Sequence, residues 1–221
     1  MPYKLHDMKK ERENFVAKIT YRPISEPIAM LLSKTNITPN QVSFMSVVSS
    51  IVAGIFFSLG EWLYLVIGYI FLQLTYLLDH VDGNLARYTG RSDEFGKWVD
   101  EITNKPCKFF LVLGVSIGLF RMTNNTFYLI LGSIAVFNWF YSAYISETKT
   151  KFEFKSSKKS KTSFGQFLNQ MLMPITVFNI FGLLILINKA DLALWFVSIV
   201  SLIYIKHIYS TRKLWRKKHY S

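Results

Sequence analysis

The sequence predicts an all-α integral membrane protein with six transmembrane helices and an N-terminal interfacial amphipathic helix. Half of the 221 residues are hydrophobic (51%), yet the formal net charge is +12. These values conflict for a small soluble protein, but they agree for a membrane protein with basic loops. Nucleic-acid binding is the other common reason for a strong positive charge. The long apolar runs argue against it, and we expect no nucleic-acid partner.

Residues 1–39 are predicted to form the interfacial and juxtamembrane segment. One helical face is apolar and carries Leu5, Met8, Phe15, Val16 and Ile19. Lysines and arginine occupy the other faces, as in a helix that lies in the membrane interface. Pro23 and Pro27 are expected to reset the chain direction before a second short apolar face. An ordinary soluble amphipathic helix is the alternative, which the direct junction to membrane spans disfavours.

The transmembrane domain is predicted over residues 40–211, and a basic cytoplasmic tail over 212–221. The domain starts after the turn at Thr38-Pro39, which is typical of a helix start. Six apolar segments follow, at about residues 42–59, 62–86, 95–120, 126–145, 164–187 and 192–209. Pro174 is expected to kink the fifth segment. The Lys- and Ser-rich stretch 147–163 is predicted to be a flexible loop.

The loop charges predict the orientation of the chain. Basic residues gather before the first span, between the second and third, between the fourth and fifth, and in the tail. The opposite connections hold only Arg121 and Lys189. The positive-inside rule therefore places both termini and the loop after the second span on the cytoplasmic side. We expect a multi-pass protein of the cell membrane, and six spans satisfy the required even number.

Residues of the types that bind ligands or catalyse reactions are concentrated around the loop between the second and third spans. One helical face, with spacing i, i+3, i+4, i+7, carries Asp79, Asp82, Gly83 and Ala86. A second face, with spacing i, i+4, i+8, carries Gly96, Asp100 and Asn104. Residues at these spacings lie on one side of a helix. Two antiparallel helices would therefore bring three carboxylates and one carboxamide together.

An all-oxygen cluster at a membrane helix end favours a hard divalent ion such as Mg²⁺ or Mn²⁺. Gly83 and Gly96 remove side chains beside the acids, so a bulky anion can approach the backbone. Arg87 lies one turn further on, where it can meet a phosphate. If the sequence had only two such acids, the plain alternative would be a polar helix end that binds no ligand. A membrane carrier for divalent cations is another.

The full pattern resembles the signature of the CDP-alcohol phosphotransferase family. It reads DxxDGxxAR, eight residues, then GxxxDxxxD, and this chain matches every position except Asn104, where the family has aspartate. The sequence around the motif resembles the branch that contains inositol-phosphate-type transferases. It reads ITPNQVS upstream and QLTYLLDHVDGNLARYTGR through the motif. The resemblance covers roughly residues 22–187.

The resemblance implies a membrane transferase that moves a phosphoryl-alcohol group from a CDP-alcohol to an acceptor hydroxyl and releases CMP. It also implies a homodimer and two divalent ions. The implied metal ligands are Asp79, Asp82, Asp100 and Asn104. The implied nucleotide and CDP-alcohol site is formed by Asn40, Ser43, Asp82, Gly83, Ala86, Arg87, Asp93 and Gly96.

Asn104 occupies the position of the family's proposed general base. A carboxamide is not a useful base near neutral pH, although its oxygen can still bind a metal weakly. Three explanations stay open: the asparagine was introduced to trap substrate, the natural protein uses another base such as His80 or a metal-bound hydroxide, or activity has been lost. His80 lies about 100° around the helix from Asp79, and we predict that it is a helix-surface residue.

The acceptor is the least predictable partner. An alcohol or phospho-alcohol acceptor is expected, and Lys105 and Lys108 are candidate ligands for an acceptor phosphate. Attraction to anionic membrane lipid explains such lysines equally well. A catalytically silent nucleotide-binding homologue is a further alternative, which would bind the nucleotide and release nothing.

Overall fold

The computed structural model describes residues 15–91, 94–151 and 171–203, and these residues form helices joined by short turns. A π-helical turn, Ala17–Tyr21, leads into the first helix. The helices are α1 (Arg22–Leu32), α2 (Pro39–Leu59), α3 (Trp62–Tyr88), α4 (Glu94–Thr123), α5 (Phe127–Lys151), α6 (Pro174–Leu186) and α7 (Ala190–Ile203). The predicted all-α class is therefore confirmed for this part of the chain.

Four helices are long and apolar enough to cross a membrane. The qualifying segments are Pro39–Leu59, Trp62–Tyr88, Trp98–Thr123 and Phe127–Tyr144. Helices α6 and α7 are apolar but shorter. The predicted fifth and sixth spans begin or end among residues 164–170 and 204–209, which lie outside the described residues, as do Leu5, Met8 and the tail 212–221. The protein is a multi-pass membrane protein, and the count of six stays a prediction.

Local sequence signals explain where α2 begins and ends. The Thr38 hydroxyl accepts a hydrogen bond from the Gln41 backbone N–H, and the Gln41 side chain accepts one from the Thr38 N–H. Such a capping box satisfies N–H groups that have no partner within the helix. At the other end Gly60 adopts φ 82°, which favours glycine because it has no Cβ. The chain then turns at once into α3.

Glycines allow α2 to pack closely against α4. A Cβ on Gly54 would lie 2.5 Å from the Phe110 carbonyl oxygen, and one on Gly114 would overlap the Gly54 backbone. Small residues let membrane helices approach to backbone contact, where dispersion replaces the missing hydrophobic driving force. Because α2 also packs along α3, it holds the ends of α3 and α4 in a fixed relation.

Three helix predictions need correction. The chain is helical without a break from Ala17 to Leu32, so Pro23 and Pro27 do not reset its direction. The π turn gives a physical reason at Pro23, which lies at the start of α1, because the carbonyl four residues earlier belongs to the wider turn. Pro27 lies inside α1. Pro174 starts α6 instead of kinking it, since its missing N–H costs nothing at a first helical position. Helix α5 extends to Lys151, into the predicted loop.

Candidate active site

Three carboxylates converge where the C-terminal part of α3 meets the N-terminal part of α4. Oxygens of Asp79, Asp82 and Asp100 all lie within 4.8 Å of one another. Asp82 is buried, Asp79 is half-buried and Asp100 is exposed. Three like charges at this separation repel one another, and a cation removes that cost. The donor set fits a hard divalent ion such as Mg²⁺ or Mn²⁺, which prefers carboxylate oxygen.

Helix α2 contributes to the cluster through Ser43. The buried Ser43 Oγ lies 2.5 Å from Asp82 Oδ2 and 3.2 Å from the Pro39 carbonyl oxygen. The hydroxyl has a single proton, and the carboxylate is the stronger and nearer acceptor. Ser43 thus fixes the orientation of Asp82 from outside the cluster. Asn40, one turn earlier, is exposed and lines a shallow groove with Phe44.

Asn104 lies one turn beyond Asp100 and is bonded to it. The Asn104 Nδ2 group donates a hydrogen bond of 2.8 Å to Asp100 Oδ1. The amide therefore presents a donor to a carboxylate of the cluster. An aspartate at this position would instead add a fourth negative charge and a basic oxygen.

The surface beside the acids is open at Gly83. A Cβ built on Gly83 would meet only Arg87 Nη1, at 3.9 Å. Arg87 donates a hydrogen bond through Nη2 to Asn84 Oδ1. The guanidinium therefore lies over Gly83, one residue from Asp82. Ala86 and Gly96 are half-buried on the two helices, and Asp93 lies outside the described residues.

Lys105 and Lys108, which follow Asp100 along α4, line a cavity. It has a volume of about 150 Å³ and lies between α4, α5 and the start of α6. The other lining residues are Phe109, Val136, Trp139, Phe140, Ser142, Ala143 and Pro174. Sequence reasoning missed the α5 residues, because nothing local in an apolar helix indicates which of its residues face α4.

The N-terminal segment reaches the site through Tyr21. The Tyr21 hydroxyl lies 2.6 Å from Gln73 Oε1 and 2.9 Å from Asn179 Oδ1, which joins this segment to α3 and α6. Desolvation by burial raises the pKa of Tyr21 to about 12, so the hydroxyl keeps its proton at every physiological pH. The Tyr21 ring also stacks on His80, with ring centroids 5.1 Å apart.

His80 was predicted to lie on the helix surface; it is half-buried, because the Tyr21 ring covers one face of the imidazole. Its Nδ1 lies 2.7 Å from the Tyr76 carbonyl oxygen and 3.9 Å from Asp79 Oδ2. Because a carbonyl only accepts, Nδ1 carries a proton and donates it to the Tyr76 oxygen. Helical periodicity gives the direction of a side chain, but it does not show which distant segment packs over it.

Fold and site together define a multi-pass helical membrane protein with a cluster of three carboxylates at the junction of two helices. The chain belongs to the CDP-alcohol phosphatidyltransferase family, whose model matches residues 36–187. The resemblance read from the motif is thereby confirmed.

Curated relatives match about half of the chain. An archaetidylinositol phosphate synthase from Pyrococcus horikoshii is 29% identical over 111 residues, 50% of this chain and 57% of the relative. A bifunctional IPC transferase and DIPP synthase from Aquifex aeolicus is 27% identical over 107 residues, 48% of this chain and 24% of the relative. The chain thus matches less than two thirds of the length of either protein.

Solved structures with the same fold come from Mycobacterium tuberculosis. Its phosphatidylinositol phosphate synthase with CDP-DAG bound has a TM-score of 0.64 and 17% identity, covering 86% of this chain and 93% of that one. The same enzyme in complex with manganese and citrate has a TM-score of 0.66 and 17% identity, covering 85% and 88%. At this identity the likeness establishes the fold.

Proposed function

We propose that this protein transfers a phosphoryl-alcohol group, such as phosphatidyl, from a CDP-alcohol to an acceptor hydroxyl in phospholipid or polar-headgroup synthesis. The acceptor oxygen forms a bond to the phosphorus that carries the alcohol. The bond from that phosphorus to the CMP oxygen breaks, CMP leaves, and the acceptor loses a proton. The observation that carries the proposal is the convergence of the three motif carboxylates within 4.8 Å.

Asp79, Asp82 and Asp100 are the proposed metal ligands, with the Asn104 amide oxygen as a weaker fourth after rotation of the amide. Two Mg²⁺ or Mn²⁺ ions are proposed. A bound divalent ion would neutralise the diphosphate and the charge that develops on the leaving CMP. The manganese complex of the structural relative supports this choice of ion.

The CDP-alcohol is proposed to lie along α3, over the open surface at Gly83. Arg87 would pair with its diphosphate, because a guanidinium binds phosphate oxygens in a fixed fork geometry. The CDP-DAG complex of the structural relative supports a CDP-linked lipid donor. The complete proposed set is Asn40, Ser43, Asp82, Gly83, Ala86, Arg87, Asp93 and Gly96.

The acceptor is proposed to enter the cavity beside Asp100. Lys105 and Lys108 supply cationic groups to that cavity, and Ser142 adds a hydroxyl. This lining suits a phosphorylated polyol better than a neutral alcohol. The names of the archaeal and mycobacterial relatives, both inositol phosphate lipid synthases, support an acceptor of the inositol phosphate type.

A catalytically silent nucleotide-binding homologue is the second candidate. The observation in its favour is the Asn104 amide, which donates to Asp100 and has no basic oxygen to accept the acceptor proton. The two candidates share the same metal and nucleotide ligands. They differ in whether CMP is released.

The membrane arrangement is also proposed. Six spans would place both termini and the active site on the cytoplasmic side, where the basic connections lie. Phe15 and Ile19 are exposed apolar side chains (67% and 59%) on the N-terminal segment, which supports its place in the membrane interface. We further propose a homodimer and the boundaries 1–39, 40–211 and 212–221 for the three parts of the chain.

Release of labelled CMP from candidate CDP-alcohols with Mg²⁺ or Mn²⁺ tests the proposal, with inositol phosphate as the first acceptor. The chain and Asn104→Asp are compared, and Asp82→Asn in the Asn104→Asp background is the inactive control. Metal-dependent release from Asn104→Asp that the control abolishes is expected. Nucleotide binding without release from either form would favour the silent homologue. Absence of cytidine nucleotide binding would contradict both candidates.

A further inference from the structure

We infer that Asn84 is a positioning residue for Arg87, and that α1 thereby sets the diphosphate subsite through Ser25. This inference rests on the proposed function of the site, and it adds residues that the family motif does not specify. Asn84 occupies an unspecified position of that motif. Ser25 lies 59 residues earlier, on the juxtamembrane helix.

The three side chains form one chain of hydrogen bonds with a consistent direction. Arg87 Nη2 donates to Asn84 Oδ1 at 2.5 Å. Asn84 Nδ2 donates to Ser25 Oγ at 3.0 Å. Ser25 Oγ in turn lies 3.5 Å from the Arg22 carbonyl oxygen, its acceptor. An amide is the side chain that accepts and donates at once, so it fits the middle position of such a chain.

Burial gives these bonds their effect on geometry. Ser25 is fully buried and Asn84 is 9% exposed. A buried amide that lost a partner would have an uncompensated polar group away from water. Both ends of Asn84 are bonded, so its orientation is fixed by α1 on one side and by Arg87 on the other.

Helix geometry directs the hydrogen-bonded series Ser25–Asn84–Arg87 toward the ligand site. Arg87 follows Gly83 by four residues and Asn84 by three, so its side chain extends back over both. The Asn84 bond selects the position in which Nη1 lies above Gly83, 3.9 Å from where a Cβ would be. One N–H of the guanidinium donates to Asn84.

The hydrogen bonds that hold Arg87 should increase affinity for the diphosphate. A long side chain that must be immobilised when the ligand binds lowers affinity, and one already held does not. Loss of the Asn84 bond is therefore expected to weaken binding by about three- to tenfold, the range for immobilising one flexible side chain. Loss of Ser25 leaves Asn84 in place with one bond fewer, so a smaller effect in the same direction is expected.

The test is equilibrium binding of CDP to the purified full chain in the presence of Mn²⁺. Asn84→Leu keeps the branched shape of the side chain and removes both hydrogen bonds. Asn138→Leu is the matched control, because Asn138 is also buried and donates a hydrogen bond of 3.4 Å to a buried serine, Ser201. Asn138 and Ser201 lie on α5 and α7, whereas the carboxylates lie on α3 and α4. Ser25→Ala and Ser201→Ala form a second, milder pair that should fold.

A double-mutant cycle with Arg87→Ala separates positioning from general loss of structure. We expect Asn84→Leu and Ser25→Ala to weaken CDP binding while the two controls leave it unchanged. In the Arg87→Ala background the Asn84 change should have no further effect. Equal losses with and without Arg87, or unchanged CDP binding in Asn84→Leu, would overturn the inference while the proposed function stands. Absence of CDP binding to the unchanged chain would overturn both.

Discussion

The two halves of the carboxylate site are built differently. The α3 half contains the buried Asp82, which Ser43 of α2 holds, and Asn84, which Ser25 of α1 holds. The α4 half contains the exposed Asp100, to which Asn104 of the same helix is bonded. Buried bonds between helices fix a side chain more strongly than an exposed bond within one helix. We therefore expect the α3 half to determine ligand affinity and the α4 half to determine the chemistry.

The largest effect should come from the α4 half. Replacing Asn104 with aspartate supplies a carboxylate base at this position. A positioned general base contributes about 10²–10⁴-fold to rate. We expect CMP release to rise by about that factor, while the thermal unfolding temperature without metal stays the same or falls. Turnover that does not change would show that the proton is removed elsewhere. His80→Gln in the same assay then tests His80, whose Nδ1 lies 3.9 Å from Asp79 Oδ2, for that role.

A smaller effect, on metal affinity, should come from the α3 half. Ser43→Ala removes the hydrogen bond that orients Asp82. Loss of a bond that orients a metal ligand typically costs about 10–100-fold in metal affinity. Titration of Mn²⁺ should show such a loss, whereas Ser46→Ala, a buried serine that donates to the Ser43 carbonyl oxygen, should leave the affinity unchanged. Equal losses of Mn²⁺ affinity in Ser43→Ala and Ser46→Ala would contradict the specific role of the Ser43 hydroxyl in orienting Asp82.

The cavity lysines should affect the acceptor and spare the donor. In the Asn104→Asp background, Lys105→Ala or Lys108→Ala should raise the KM for a phosphorylated acceptor by about tenfold, the effect of losing one charged hydrogen bond. The KM for the CDP-alcohol should not change. Lys34→Ala, an exposed lysine between α1 and α2, is the control for general surface charge. A rise in the donor KM alone would move these lysines to the nucleotide site.

The smallest expected effect concerns stability. Tyr21→Phe removes the hydroxyl that bonds to Gln73 and Asn179, and the free energy of unfolding should fall by about 1 kcal/mol. The stacking on His80 is kept, so Mn²⁺ affinity should not change. Thermal unfolding and metal titration of the same sample check both statements. A loss of metal affinity would mean that the N-terminal segment supports the α3 half through Tyr21 as well.

Sequence reasoning predicted the contacts between neighbouring helices of the chain and missed those between distant segments. The spacing of Asp79, Asp82 and Asp100 was sufficient to bring the acids together, because helical periodicity and one turn determine their positions. Nothing in the sequence paired Ser25 with Asn84 or placed Trp139 in the cavity, since those contacts depend on how α1 and α5 pack. Pro174 was misplaced because proline is compatible with both a kink and a helix start.

The central claim is that the three carboxylates form a metal-dependent site for a CDP-alcohol. Equilibrium binding of a CDP-alcohol to the full chain, with Mn²⁺ and with chelator, tests it most directly, alongside Asp79→Asn and Asp82→Asn. We predict binding that requires Mn²⁺ and that either change abolishes. Nucleotide binding that is indifferent to both metal and carboxylates, or Mn²⁺ binding with no affinity for the nucleotide, would contradict the claim, and the latter would favour a cation carrier.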